Sequence, residues 1–162
     1  HQILGITAGE DVEFGIRSLI PDRRERRRRA AAALETAGLA GTEDRLAAAL
    51  SGGQKRRLAV ASALAADPEL VILDEPFNGL DPAGADGLLR TLLDLRSRGV
   101  GILLVTHDLE KCLAHADRLA VLDRGRVAAD GTPEELWDRL PSLGLRRPPG
   151  GPGRLGEMTW LN

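Results

Sequence analysis

The chain has no tyrosine, one cysteine and one methionine, and aromatic residues make up only 2% of it. The lone cysteine, Cys112, excludes an internal disulfide and suits a reducing compartment; it fits a helix face better than a reactive site. No apolar run is long enough to span a bilayer and no signal peptide opens the chain, so any membrane role is expected to run through a partner. Neither sign of charge dominates. With 22 basic and 24 acidic residues the net charge is −2, which removes the general electrostatic case for nucleic acid or an anionic membrane as partner. Lysine is scarce as well: Lys55 and Lys111 stand alone among arginines, a coding bias rather than a functional signal. The sequence opens on His1 and its one methionine is Met158, so it reads as a piece of a longer polypeptide.

What is present is globular. Over 162 residues, 43% are hydrophobic and 28% charged, enough for one domain with a core. The chain is organised around residues 70–76, Leu-Val-Ile-Leu-Asp-Glu-Pro, where four apolar residues run into two carboxylates. An apolar run of that length between Pro68 and Pro76 predicts a strand buried on both faces of a parallel sheet. Asp74 and Glu75 then lie at the carboxyl end of the strand, where open α/β sheets bind ligands. The plainer alternative is a solvated loop after a core strand.

Thr7 with Glu10 has capping-box spacing, which predicts a helix running toward Leu19 and ended by Pro21. Asp22 with Glu25 repeats the signal for a second helix, stopped at Gly38 and carrying Arg23, Arg24, Arg26, Arg27, Arg28 and Arg29. That arginine run is either a solvated helix surface or a contact with a partner or anionic lipid. Residues 39–50 read as a short turn and helix. Ser51-Gly52-Gly53-Gln54 then opens a helix carrying Leu58, Val60, Ala61 and Leu64. Ser51 is a natural N-cap, but two glycines cost helix stability; they are explained either as a flexible cap or as bare N–H groups that receive a phosphate at the positive helix end.

After the strand, Asp81 caps a further helix with Pro82 at its first position, ending at Gly99. Residues 101–105 form a second buried strand, which makes 70–105 a βαβ unit. His107 follows at the carboxyl end of that strand, on the rim expected for Asp74 and Glu75. A helix around 109–116, a hairpin turning at Arg124-Gly125 and a capped helix from Thr132 complete the chain, with a loose tail beyond Pro141 and no internal repeat.

In this order the motifs resemble the nucleotide-binding subunit of an ATP-binding-cassette (ABC) transporter. Residues 50–54 are similar to its signature motif, 70–74 to its Walker B strand with Glu75 as the following catalytic glutamate, 79–81 to its D-loop, and His107 to its switch histidine. Gln2, standing before the first helix, resembles the Q-loop glutamine. The resemblance covers residues 1–140 and implies an α/β, P-loop NTPase-like fold: a mostly parallel sheet flanked by helices, with an α-helical subdomain over 7–66, the remaining core over 67–140, and a Pro/Gly-rich tail over 141–162. It implies ATP and Mg²⁺ as ligands. Asp74 would hold Mg²⁺, with Gln2 sensing the ion; Glu75 would orient the attacking water, and His107 would contact the γ-phosphate. Ser51, Gly52, Gly53 and Gln54 would face a nucleotide held by a second ABC subunit in a head-to-tail homo- or heterodimer, with Asp81 at the interface.

Residues 1–15 further resemble the ATPases of energy-coupling-factor importers for cobalt, nickel and vitamins. That implies an integral-membrane coupling subunit and a substrate-binding membrane subunit as partners, a peripheral place on the cytoplasmic face of the membrane, and no nucleic acid. Residues 7–38 would border the docking surface. One departure is large: the Gly-x-x-x-x-Gly-Lys-Ser/Thr phosphate loop is absent from the chain. The full-length protein is therefore expected to be an ATPase and this chain alone inactive. The alternatives are a soluble ABC ATPase acting on ribosomes or DNA, and a non-catalytic interaction module.

Overall fold

The computed structural model describes residues 4–149, so Gln2 lies outside the described residues. The chain divides into two compact units, with the boundary between Val105 and Thr106.

In the first unit, Thr7 opens α1 (Ala8–Gly15). Its hydroxyl accepts from the Glu10 N–H and the Glu10 carboxylate accepts from the Thr7 N–H, both at 3.2 Å, as the capping-box spacing predicts. The helix stops well short of Leu19, at the poor helix former Gly15, and the Ile16 carbonyl takes the N–H groups of Leu19 and Ile20 in a tight turn. Asp22 caps α2 (Arg23–Thr36), accepting from the N–H groups of Arg24 and Glu25. Glu25 does not return the bond. It pairs with Arg28 at 2.7 Å and Arg29 at 3.0 Å, because two guanidiniums one turn away outcompete one backbone N–H. Gly38 ends this segment in the left-handed region at φ +67°, the conformation a helix C-terminus asks of glycine.

The arginine run belongs largely to the chain itself. Arg26 donates to the Ile20 and Pro21 carbonyls at 2.8 and 2.7 Å, Arg27 pairs with Glu13, and Arg28 and Arg29 share Glu25. Residues 39–50 hold one 3-10 turn, Ala47–Ala49, before α3 (Gly52–Leu64). The three helices close over an apolar cluster of Val12, Ile16, Leu34, Leu39 and Leu58.

The βαβ element follows as predicted: β1 (Leu70–Asp74), α4 (Pro82–Ser97) and β2 (Gly101–Val105). β1 and β2 pair in parallel from Leu70 opposite Gly101 to Asp74 opposite Val105. The expected burial on both faces is corrected here. Leu70, Ile72, Leu103 and Val105 are between 45% and 61% exposed, because alternate residues share a face and, among the described residues, the sheet has two strands with α4 packed against β2.

The second unit departs from its expected helix at 109–116, where two 3-10 turns stand instead, Leu109–Lys111 and Leu113–His115. Asp108, the natural cap, spends its carboxylate on Lys111 at 2.9 Å and makes no capping bond, so an α-helix this short has nothing to start it. Cys112 is buried. The hairpin of β3 (Leu119–Asp123) and β4 (Arg126–Gly131) turns at Arg124 and Gly125, both at positive φ, which gives the two-residue turn its twist. Thr132 caps α5 (Pro133–Leu136), a single turn that buries Leu136 before Trp137, also buried, begins a 3-10 turn. The tail expected to be loose is held as far as Arg147, which donates to the Trp137 and Asp138 carbonyls at 3.0 and 2.8 Å, and Leu143 and Leu145 join the apolar clusters.

Candidate functional site

In the first unit the N-termini of α3 and α4 open onto one cleft of about 480 Å³, lined by Ser51, Gly52, Gly53, Arg57, Gly79, Asp81, Ala83 and Gly84. α3 offers the N–H groups of Gly52 and Gly53, α4 that of Ala83, since Pro82 has none and Gly84 gives its own to Asp81. Both helices turn the positive ends of their dipoles to the cleft, the general recipe for an anion site. Ser51 accepts from the Gln54 N–H at 3.2 Å, and the Gln54 side-chain oxygen accepts from the Ser51 N–H at 3.0 Å. Gln54 is thus committed to a capping box, a role its Ser-x-x-Gln spacing would have disclosed. Asp81 caps α4 through the Gly84 N–H at 2.8 Å, and a Cβ on Gly84 would crowd that carboxylate at 2.7 Å, so a larger residue there would make the cap shift.

Gly52 is different. A Cβ there would meet nothing within 4 Å and the residue is absent from the positive-φ positions, so neither packing nor backbone conformation demands glycine. What glycine adds at that point is a bare backbone facing the cleft, which allows a ligand to approach closely. Two arginines brace the same helix end. Arg56 donates to the Asn78 carbonyl at 2.9 Å, and Arg57 reaches the Gly38 carbonyl at 3.3 Å while its Nε is buried with no partner. A guanidinium lining the cleft beside two helix N-termini adds positive charge that suits a phosphate. Sequence reasoning passed over both arginines because they read as the polar face of an ordinary helix.

The second feature lies at the end of β1. Glu75 adopts φ +46°, although the residue before a proline is normally driven to extended backbone. Asp67, which also precedes a proline, and Arg124 share the sign of φ, but aspartate tolerates it and Arg124 belongs to the hairpin turn. Glu75 has neither excuse. Its N–H donates to the Val105 carbonyl at 2.8 Å, its carbonyl accepts from Asn78, and the buried Pro76 and Phe77 fix the chain beyond it. A conformation costing ~1–3 kcal/mol, held by its surroundings, is a mark of functional positions. Asp74, immediately before it, ends β1 exposed.

Of the residues singled out from sequence, Ser51, Gly52, Gly53 and Asp81 come together around the cleft, and Gln54 supports it. Asp74 and Glu75 stand at the strand end, outside the cleft lining. His107 belongs to the second unit, two residues beyond β2. No group of three or more His, Cys, Asp or Glu side chains among the described residues forms a metal cage. Mg²⁺ does not ask for one, since it takes one or two carboxylates beside water and substrate phosphate, and the exposed Asp74 fits that need.

Residues 3–78 match the ABC transporter family model. The energy-coupling factor transporter ATP-binding protein EcfA of Methanothermobacter thermautotrophicus is 43% identical over 136 residues, which cover 84% of this chain and 44% of that protein. The chain belongs to the ABC transporter family. Among solved structures, cbiO1 of Clostridium perfringens, described as part of the ABC transporter complex cbiONQ, superimposes with a TM-score of 0.74 at 32% identity, over 88% of this chain and 61% of that one. A dimeric ATP-binding cassette in a post-hydrolysis state, bound to ADP and Pi, superimposes with a TM-score of 0.70 at 30% identity, over 81% of this chain and 58% of that one. The fold is therefore that of ABC ATPases, the P-loop NTPase-like α/β class predicted from sequence. The ABC chain spans about half the length of the curated relatives it matches.

Proposed function

We propose that the full-length protein containing this chain is the ATP-binding and ATP-hydrolysing subunit that energises an importer of the energy-coupling-factor type. The observation that carries the reading is Glu75, a carboxylate held in the left-handed region before a proline at the carboxyl end of β1 in an ABC chain. Phosphoryl transfer to water needs positioning and charge stabilisation above all, and a base fixed at a strand end supplies the first. In this reading Glu75 orients the attacking water and takes its proton. Asp74 would hold Mg²⁺, whose charge offsets that developing on the transferred phosphate.

The other half of the chemistry belongs to the cleft. The Ser51 hydroxyl and the N–H groups of Gly52 and Gly53 face the terminal phosphate of a nucleotide bound by a second ABC subunit, with Asp81 at the contact between the two. His107 and Gln2 take the γ-phosphate and metal-sensing roles by their place in the motif order. The relatives' names, an energy-coupling factor transporter ATP-binding protein and a part of an ABC transporter complex, support assembly with transporter subunits. In this reading the partners are an integral-membrane coupling subunit and a substrate-binding membrane subunit, with this protein peripheral on the cytoplasmic face. Among the described residues no helix is long and apolar enough to cross a membrane.

The test is Glu75→Gln in the full-length complex. Mg-ATP turnover should fall by about 10²- to 10⁴-fold, the range for loss of a general base, while ATP affinity is retained. Turnover equal to wild type would sink the assignment. Co-purification with ribosomes or DNA in place of membrane subunits would favour the soluble ABC class.

A further inference from the structure

Asp11 and Thr91 are the polar side chains buried among the described residues, and Asp11, 6% exposed on the first turn of α1, is the one that carries charge. Its Oδ1 accepts from the Leu4 N–H at 2.7 Å and the Gly5 N–H at 3.1 Å. Its Oδ2 lies 3.4 Å from the hydroxyl of Ser62, whose one proton is shared between Asp11 and the Leu58 carbonyl at 3.1 Å. Glycine at 5 is obligatory for this approach: a Cβ there would overlap the Asp11 backbone nitrogen and stand 2.6 Å from its Cα. Burying a carboxylate is costly unless its lone pairs are met, and three donors from two separate parts of the chain meet them here.

The two ends of this contact matter. Leu4 and Gly5 belong to the segment that follows Gln2 in the sequence. Ser62 lies on α3, the helix whose N-terminus presents Ser51, Gly52 and Gly53 to the cleft. At 1.5 Å per residue, the hydroxyl sits about 16 Å along a rigid helix from that end. We propose that Asp11 is a positioning residue that locks the Leu4–Gly5 backbone to α1 and, through Ser62, to the phosphate-facing helix, so that displacement of the segment after Gln2 is passed to the cleft. The proposal rests on the ATPase reading above. An amide would fill the same space and still accept from both N–H groups, but a charge-assisted bond is roughly twice as strong, so charge is what an anchor under load gains from aspartate.

The experiment compares the full-length protein with Asp11→Asn and Ser62→Ala, reading amide hydrogen exchange, kcat and KM for Mg-ATP, and melting midpoint. In Asp11→Asn, the Leu4 and Gly5 amides should exchange about tenfold faster, as the loss of one charge-assisted bond gives, with the melting midpoint retained. kcat should fall roughly three- to tenfold at unchanged KM, since the phosphate face is still present but less well placed. Ser62→Ala should reproduce the fall in kcat without loosening Leu4 or Gly5, and the double variant should be no worse than either single one. Wild-type kcat in both variants, whatever the exchange rates, would overturn the proposal and leave Asp11 a structural anchor. So would a loss of activity that only tracks the folded fraction. An inactive wild-type protein would overturn the ATPase reading itself, and the proposal with it.

Discussion

Gly52 and Glu75 carry opposite lessons about single residues. Gly52 sits where any small side chain would fit, and Glu75 sits where its side-chain type is disfavoured, so both residues answer to something other than the fold. Gly52→Ala should therefore hold or raise the melting midpoint of the full-length protein and yet lower its Mg-ATP turnover. Gly52→Asp should abolish turnover, because a carboxylate would face phosphate across the cleft; wild-type rates in the aspartate variant would remove the cleft from the mechanism. The glycines, the two carboxylates and the histidine were legible in the sequence as motif residues. Arg57 and Asp11 were not, since a helix-face arginine and a first-turn aspartate have common roles that local sequence does not distinguish from these.

Helix caps were the most legible elements. Thr7, Ser51, Asp81 and Thr132 each cap the helix their spacing predicts, because a cap is a local contest between one side chain and a few N–H groups. Where a stronger local partner exists the rule fails, as at Asp108 and Glu25. The Arg28 and Arg29 hydrogen bonds, with their charges, hold the Glu25 carboxyl at about 2, below its ordinary 4.5. A depressed folded-state value means the unfolded chain binds more protons between those limits. The pair thus stabilises α2 fully above pH 4.5, and its contribution fades as pH falls toward 2. Glu25→Gln should flatten that part of the stability-against-pH curve in urea unfolding; an unchanged acid slope would show that Glu25 contributes nothing measurable. Ser51→Ala should cost about 1 kcal/mol in the same assay, the usual worth of an N-cap.

At the scale of the whole molecule, the continuous apolar run of β1 demands cover on both faces, and the described residues supply it on one. The sequence disclosed the demand, but how it is met depends on long-range packing, which a strand pattern does not encode. Purified residues 1–162 should accordingly bind a hydrophobic dye and self-associate, and Ile72→Lys should reduce both; a dye-silent monomer would contradict the open face. The same chain should not turn over Mg-ATP, since it lacks the Gly-x-x-x-x-Gly-Lys-Ser/Thr loop. The central claim is that each nucleotide site combines Glu75 of one subunit with the Ser51–Gly53 face of another. It is tested most directly by mixing two inactive full-length proteins, Glu75→Gln and Gly52→Asp, under conditions where subunits exchange. A dimer of two copies that shares its sites would then hold both defects in one site and leave the other intact, so Mg-ATP turnover should return on mixing. No recovery in demonstrably mixed dimers would place both groups in the same subunit's site and contradict the account.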